Sequence, residues 1–176
     1  MSSRRRHNVL CSILVDNVMV EGVQPIRNAV FSYFASHFVS LDVERPSVSN
    51  LQFHSLSMAV GRGLIKPFYV DEVKAAVWDC NNFKSPGSDG INFIFIKEFW
   101  QEMKEDILRF VSEFHHNGKL SKGINTNFIA LIPKVDSPQR LNHFRHTSIV
   151  GSLYKILTKL LANILRLVIS SVISDS

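Results

Sequence analysis

The longest regular pattern in the sequence is a series of large apolar residues that recur every three or four positions from Ile91 to Phe114. This spacing places them on one face of a helix, which has to be buried against other elements. We predict a break near residue 101 and a stop at Gly118, because glycine is common just beyond a helix end. A second pattern of the same kind runs from Leu153 to Val168. Two such helices predict a helix-rich domain, and apolar residues, at 45% of the chain, are enough to build its core.

Short runs rich in β-branched residues predict strands in the rest of the chain. Val9–Val15 and Val18–Val20 flank the pair Asp16-Asn17, which is typical of a tight turn, and together they predict a hairpin. Phe128–Pro133 predicts a further strand. The predicted fold class is therefore α+β, helix-rich, with a small antiparallel sheet.

The remaining segments predict two shorter helices and the loops between them. Apolar spacing predicts a helix over residues 25–38, with Pro25 in its first turn, where proline is tolerated. Asp71 and Glu72 are typical of the first turn of another helix. Residues 39–67 mix polar residues with proline and glycine and are interpreted as a linker, and residues 84–90 read Lys-Ser-Pro-Gly-Ser-Asp-Gly, which predicts a loop.

Positive charge is concentrated in the last third of the chain. Residues 119–176 carry a net charge of +6, whereas residues 66–118 carry −3 and residues 1–65 carry +2. A basic segment of this kind indicates contact with a polyanion such as nucleic acid or a nucleotide phosphate. An ordinary solvated surface explains the same charge, and composition alone leaves both interpretations open.

Acidic, histidine and cysteine residues give no catalytic or metal-binding pattern. A two-metal polymerase or nuclease needs two or three converging carboxylates, but the acids of the middle segment lie on helical patterns and predict solvated helix faces. His143 and His146 lack cysteine partners at zinc spacing. A Ser-His-Asp triad stays open because such triads form in space rather than in sequence. Cys11 and Cys80 are interpreted as reduced thiols of an intracellular protein.

Two basic residues stand at the ends of predicted strands. Phe128–Pro133 leads directly into Lys134, and Phe144 precedes Arg145 about ten residues later. If the segment closes as a hairpin, both cations project from one edge, where a lysine point charge and a bidentate arginine suit a triphosphate or a nucleic-acid backbone. Two exposed basic residues without a ligand are the alternative.

An ordered set of motifs gives the chain its resemblance to a known family. In chain order the set is Lys84–Gly90, Phe99-Trp100, Phe128–Lys134, Phe144–Ser148, Tyr154–Leu157 and Leu161–Asn163. It resembles the reverse transcriptase of LINE-type (non-LTR) retrotransposons, the plant members in particular. Each motif is short, but the motifs occur in the order of the family. Similarity to the plant members also extends upstream through Val20–Arg27, so that the resemblance covers essentially the whole chain.

The resemblance implies a domain division and a set of binding residues. It implies an arm or linker between endonuclease and polymerase regions at 1–67, and a partial reverse transcriptase domain at 68–176, with pre-fingers and fingers but without the palm. Lys134 and Arg145 match the fingers residues that contact the incoming deoxynucleotide triphosphate. The expected contacts to the RNA template or a DNA/RNA hybrid are Lys84, Ser85, Gly87, Asp89, Gly90, Lys155 and Lys159.

Departures from the family pattern limit the expected activity. His146-Thr147 stand where the family has Pro-Ile, and Ile164 stands where it usually has arginine. The family's palm aspartates, which hold Mg²⁺ in the full-length enzyme, have no counterpart here, so no catalytic residue, metal or cofactor is assigned to this chain. It is expected to be an inactive fragment when alone; an RNA-binding module and a non-functional remnant are the alternatives.

The second long helix also bears on association and on membranes. Lys155, Lys159 and Arg166 interrupt the apolar stretch from Ile149 to Ile173, which argues against a membrane span. Because the family packs this helix partly against the palm, we expect exposed apolar surface, marginal stability and self-association.

Overall fold

The α+β fold predicted from the sequence is confirmed. A computed structural model describes residues 11–39, 47 and 54–172, and in them six helices and two small antiparallel two-stranded sheets. In chain order the elements are β1 (Ser12–Val15), β2 (Val18–Glu21), α1 (Val23–His37), α2 (Met58–Leu64), α3 (Val70–Trp78), α4 (Phe93–Glu98), α5 (Trp100–Asn117), β3 (Asn127–Pro133), a 3₁₀ turn (Leu141–His143), β4 (Phe144–Val150) and α6 (Ser152–Val172).

The first hairpin follows from its turn residues. Strand β1 pairs with β2 so that Ser12 lies opposite Glu21 and Val15 lies opposite Val18. The two residues between the strands, Asp16 and Asn17, have φ values of 48° and 65°. Positive φ at both central positions is the geometry of the two-residue turn that matches strand twist, and aspartate and asparagine tolerate it best after glycine. The predicted hairpin is confirmed, although residues 9 and 10 of the first run lie outside the described residues.

Two compact units divide the chain, and each has its own core. Unit 1 consists of residues 1–47 and 130–147, and unit 2 of residues 48–129 and 148–176. In unit 1 the hairpin, α1 and the 3₁₀ turn contribute the buried residues Ile13, Ile26 and Leu141. The predicted division at residue 67 stays a prediction.

The core of unit 2 is formed where α3, α4, α5 and α6 meet. Its buried residues are Val73, Ala76, Val77, Phe93, Ile96, Trp100, Ile107, Val111, Ile156 and Leu160. The rings of Trp78 and Trp100 pack edge to face, with centroids 5.5 Å apart. The two longest apolar patterns of the sequence therefore meet in one core, because each buries the stripe that the helical period creates.

Helix ends agree with the predicted stops and refine them. The long pattern is split at Phe99, whose φ and ψ are −102° and 31°, so the predicted break near residue 101 is confirmed two residues earlier. Helix α5 ends at Asn117 and is capped by Gly118, which has the φ of 61° that a left-handed cap requires. Helix α6 continues to Val172, beyond the predicted end at residue 168.

The interpretation of residues 39–67 as linker is wrong for residues 58–64, which form α2 despite two glycines. The Ser57 side chain accepts a hydrogen bond from Val60 N at 3.3 Å and caps the helix. Just beyond its last residue, the His115 ring of α5 contacts Ile65 O, with an Nε2–O distance of 3.0 Å. Tertiary contact and capping outweigh the low helix propensity of glycine. Residues 40–46 and 48–53 of the predicted linker lie outside the described residues. None of the helices in the described ranges is long and apolar enough to cross a lipid bilayer.

Candidate nucleic-acid interface

The 84–90 loop packs against the start of α6 through a glycine. Gly87 is buried, and a Cβ added there would overlap the carbonyl of Val150 and lie 2.5 Å from Gly151 N. No side chain fits this gap, so glycine is needed at position 87 for the close approach of two backbone segments. A tight turn follows, in which Gly90 N donates to Gly87 O at 3.1 Å and Gly90 has a φ of 68°.

Asp89 caps α6 from a distant part of the sequence. Its Oδ2 accepts hydrogen bonds from Ser152 N at 2.5 Å and from Ser152 Oγ at 2.6 Å, while Oδ1 accepts from Ile91 N at 3.3 Å. Ser152, the first residue of the helix, is only 2% exposed. The carboxylate therefore satisfies a free N–H at a helix start and lies where the helix dipole favours negative charge.

These hydrogen bonds set the ionisation of the carboxyl group. Partial burial raises the pKa of Asp89, but the hydrogen bonds from the Ser152 hydroxyl and backbone N–H, with that from Ile91, outweigh it and hold the pKa below its usual value. Asp89 is thus charged at neutral pH, and its charge is used within the fold.

Two lysines of α6 bind the segments that precede it in sequence. Lys155 Nζ donates to Ser85 O at 2.9 Å, which ties the loop to the helix a second time. Lys159 Nζ lies 3.3 Å from Asp79 Oδ2, just beyond the end of α3. Both lysines are half-buried, so their ammonium groups are held at defined positions rather than free in solvent.

These lysines line a concavity of about 310 Å³ together with Lys84. Its other lining residues are Asp79, Cys80, Phe93, Thr158 and Ala162. Three ammonium groups and one carboxylate leave an excess of positive charge, and the side chain of Lys84 has no hydrogen-bond or ion-pair partner among the described residues.

At the Cys80 thiol beside these lysines, the effect of burial on the pKa outweighs that of the neighbouring positive charge. Partial burial raises the pKa of the Cys80 thiol, while the nearby charges of Lys84, Lys159 and Lys97 act in the opposite direction. Lys97 is held by Trp78 O at 3.0 Å, Cys80 O at 2.9 Å and Asn82 Oδ1 at 2.6 Å. It satisfies carbonyl groups at the end of α3 that the helix leaves free.

The structure therefore brings together most of the residues that the sequence assigned to template contact. Lys84, Lys155 and Lys159 share the concavity, whereas Ser85, Gly87, Asp89 and Gly90 shape the loop and fix it to α6. Their contact with RNA stays a prediction. Sequence reasoning missed Asp79, Lys97 and Ser152. Of these, only Ser152 had a signal, because serine directly before an apolar helical pattern is typical of a helix start.

Lys134 and Arg145 lie on the second hairpin, in unit 1. Lys134 N donates to His143 O at 2.8 Å, which brings Lys134 beside the strand that carries Arg145 two residues later. Lys134 Nζ also donates to Asn142 O at 3.3 Å. Arg145 is exposed, and its side chain has no hydrogen-bond or ion-pair partner among the described residues. The hairpin itself is confirmed, and the triphosphate contact stays a prediction.

Acidic residues of the middle segment occupy helix surfaces, as predicted. Asp71, Glu72, Glu98, Glu102, Glu105, Asp106 and Glu113 are all exposed. Within the described ranges no group of three or more histidine, cysteine, aspartate or glutamate residues is placed to hold a metal ion.

Comparison with known proteins gives one informative match. The sequence is 26% identical over 171 residues to an uncharacterized 149 kDa protein of transposon TX1 from Xenopus laevis. This similarity supports a retrotransposon-derived protein. The match covers 96% of this chain but 13% of the Xenopus protein, so the chain corresponds to a small part of that relative's length. No protein-family model matches the chain.

Proposed function

We propose that this chain is part of a LINE-type reverse transcriptase of plant-like sequence, and that it binds the RNA template or a DNA/RNA hybrid. The observation that carries the proposal is the lysine-lined concavity of unit 2, where Lys84, Lys155 and Lys159 lie together. The similarity to a transposon protein supports the same origin.

The concavity suits a phosphate backbone for electrostatic and geometric reasons. Ammonium groups are point charges that donate hydrogen bonds to phosphate oxygens from several directions. Because Lys155 and Lys159 are tied to Ser85 and Asp79, less side-chain entropy remains to be lost on binding. Phosphate contacts of this kind fix the register of a strand without reading its bases.

The second hairpin provides for the other expected ligand, the deoxynucleotide triphosphate. Arg145 offers a free guanidinium that can bind two phosphate oxygens at once, and Lys134 adds a point charge on the neighbouring strand. We propose these two residues as the triphosphate contacts of the complete polymerase.

Polymerisation itself requires the palm aspartates and their Mg²⁺, which lie in family motifs without a counterpart in this sequence. The chain alone should therefore incorporate no deoxynucleotide in a primer-extension assay with Mg²⁺ and an RNA template. Template-dependent incorporation above a no-protein control would refute this part of the proposal.

RNA binding is tested with two double variants of equal net charge. Lys84→Gln with Lys159→Gln removes two ammonium groups from the concavity, whereas Lys66→Gln with Lys104→Gln removes two ammonium groups elsewhere in unit 2. Fluorescence anisotropy of a labelled single-stranded RNA is measured over a range of salt concentrations. Each phosphate contact contributes about 0.7 to the slope of log affinity against log salt, so the first variant should lower that slope by about 1.4.

The control decides whether position matters. The Lys66 and Lys104 variant should keep the wild-type slope, since neither lysine lines the concavity. Equal losses in both variants would mean that overall charge rather than this site attracts RNA, and wild-type binding that is insensitive to salt would refute the proposal.

A further inference from the structure

Unit 1 contains a second cavity, of about 790 Å³, whose residues have no role in the function proposed above. Its walls come from the first hairpin, from α1 and from the segment at the 3₁₀ turn. Leu14, Val15, Ala29 and Leu141 supply the apolar part of the lining. Cavities of this size that combine an apolar lining with a few polar groups are the usual form of a small-ligand site.

An aromatic wall is the first specific feature of this cavity. Tyr33 and His37, one helical turn apart on α1, have ring centroids 4.4 Å apart with an interplanar angle of 40°. Tyr33 is half-buried against the unit 1 core, and its ring meets that of Phe34 edge to face at 5.3 Å. A ring fixed in this way is a surface on which a flat heterocycle can stack.

Unused polar groups are the second feature. The hydroxyl groups of Ser32 and Tyr33 and the side-chain amide of Asn142 line the cavity, and none has a hydrogen-bond partner among the described residues. An amide that offers both a donor and an acceptor matches the edge of a nucleobase.

Two charged residues in the wall of the cavity, Arg140 and Asp16, are the third feature. The Arg140 guanidinium uses Nη2 to hold Asn17 Oδ1 at 3.1 Å, which leaves donors free for an anion. Asp16 contributes a carboxylate, which can accept a hydrogen bond from a sugar hydroxyl or an exocyclic amine. The same negative charge repels a bare phosphate ion. The combination favours a ligand with both a phosphate and a nucleoside over inorganic phosphate.

The wall that carries Arg140 is fixed in place. Leu14 N donates to Gln139 O at 2.6 Å, and His143 N donates to Arg140 O at 2.9 Å. Because the cavity is already built by these contacts, a ligand would meet little ordering cost on entering it.

We propose that this cavity binds one nucleotide, with its base stacked on Tyr33 and its phosphate at Arg140. The nucleotide is either a unit of a single-stranded RNA or a free mononucleotide. The inference adds a second nucleotide-binding site to unit 1, and it rests on the proposed function only where the nucleotide belongs to an RNA strand.

The test uses a six-nucleotide RNA that contains 4-thiouridine. Ultraviolet crosslinking followed by mass spectrometry should label the tryptic peptide that begins at Asn28 and contains Tyr33. Tyr33→Leu, which keeps an apolar side chain in the core, should weaken binding about tenfold, because stacking of a base on an aromatic ring is worth roughly that factor or more. Tyr33→Phe keeps the ring and should stay within threefold of wild type, which separates stacking from a folding defect.

Matched controls come from the same helix. Phe31 is an aromatic residue of α1 that is 74% exposed and does not line the cavity, so Phe31→Leu should leave affinity unchanged. Arg140→Gln should weaken binding, whereas Arg27→Gln, which removes an exposed α1 charge outside the cavity, should not.

Competition identifies the source of the nucleotide. Displacement of the crosslink by AMP but not by inorganic phosphate indicates a free mononucleotide, whereas resistance to AMP indicates an RNA strand. The proposal is overturned if the RNA does not crosslink to this peptide, or if Tyr33→Leu and Phe31→Leu have equal effects. If only the double variant of Lys84 and Lys159 lowers RNA affinity, the proposed function stands and this inference fails. If only Tyr33→Leu lowers RNA affinity, this inference stands and the proposed function fails.

Discussion

The contact between Asp89 and Ser152 gives the most direct test of how the 84–90 loop is held. Asp89→Ala removes both hydrogen bonds to Ser152 and leaves a backbone N–H and a hydroxyl group without their partner in a residue that is 2% exposed. An unsatisfied buried donor costs about 1–3 kcal/mol, and loss of a helix cap costs about 1 kcal/mol. Asp89 itself is largely exposed, so water replaces part of the loss. We therefore expect the free energy of unfolding of unit 2 to fall by about 2 kcal/mol.

Tryptophan fluorescence during urea unfolding is the assay, because Trp78 and Trp100 are in contact in unit 2 and report on its unfolding. With a denaturant slope of about 1.5 kcal/mol per molar urea, the midpoint should fall by about 1.3 M. Asp89→Asn keeps an acceptor but loses the charge at the helix start, so it should cost about 1 kcal/mol. Glu113→Ala removes an exposed acid of α5 whose side chain makes no hydrogen bond or ion pair among the described residues, so it serves as the control and should leave the midpoint unchanged.

Acid should abolish the difference between wild type and Asp89→Asn. The folded-state pKa of Asp89 lies below its usual value, because the hydrogen bonds from Ser152 outweigh the opposing effect of burial. The stabilisation from its charge is therefore complete above about pH 4 and is lost as the pH falls through the folded-state pKa. An Asp89→Ala midpoint equal to that of wild type at pH 7, or a wild-type advantage over Asp89→Asn that grows in acid, would refute the reasoning.

Three further substitutions test other contacts. Gly87→Ala should destabilise unit 2 by about 2 kcal/mol because the new Cβ overlaps fixed backbone, whereas Gly63→Ala, with open space around it, should be neutral or stabilising in the same urea assay. Lys97→Met, which removes three hydrogen bonds at the end of α3, should lower the free energy of unfolding by about 2 kcal/mol; thermal melting checks this, and an unchanged midpoint would contradict it. Leu165 and Ile169 are 58% and 50% exposed and lie one turn apart on α6, so Leu165→Lys with Ile169→Lys should reduce self-association in sedimentation velocity, and an unaltered distribution would exclude this face.

Local order in this protein could be predicted from the sequence, because it depends on neighbours in the chain. The 3.6-residue period specified the stripes of α5 and α6, the pair Asp16-Asn17 specified the first turn, and Gly118 specified a helix end. Helix α2 was missed because its two glycines lower its own helix propensity and because His115, which contacts its end, is distant in sequence; the Ser57 cap was the one local signal for it.

Most of the candidate site required the tertiary structure. The sequence by itself determined an α+β chain with a turn-rich loop at residues 84–90, and a basic last third with residue types that suit phosphate. Only the tertiary structure decided that Asp89 caps α6 at Ser152, 63 positions away in the sequence. It also decided that Lys84 and Lys159 line one concavity. The physical reason is that periodicity and turn chemistry act between near neighbours, whereas a carboxylate at a distant helix start, or a cavity between Tyr33 and Arg140, depends on how the elements pack.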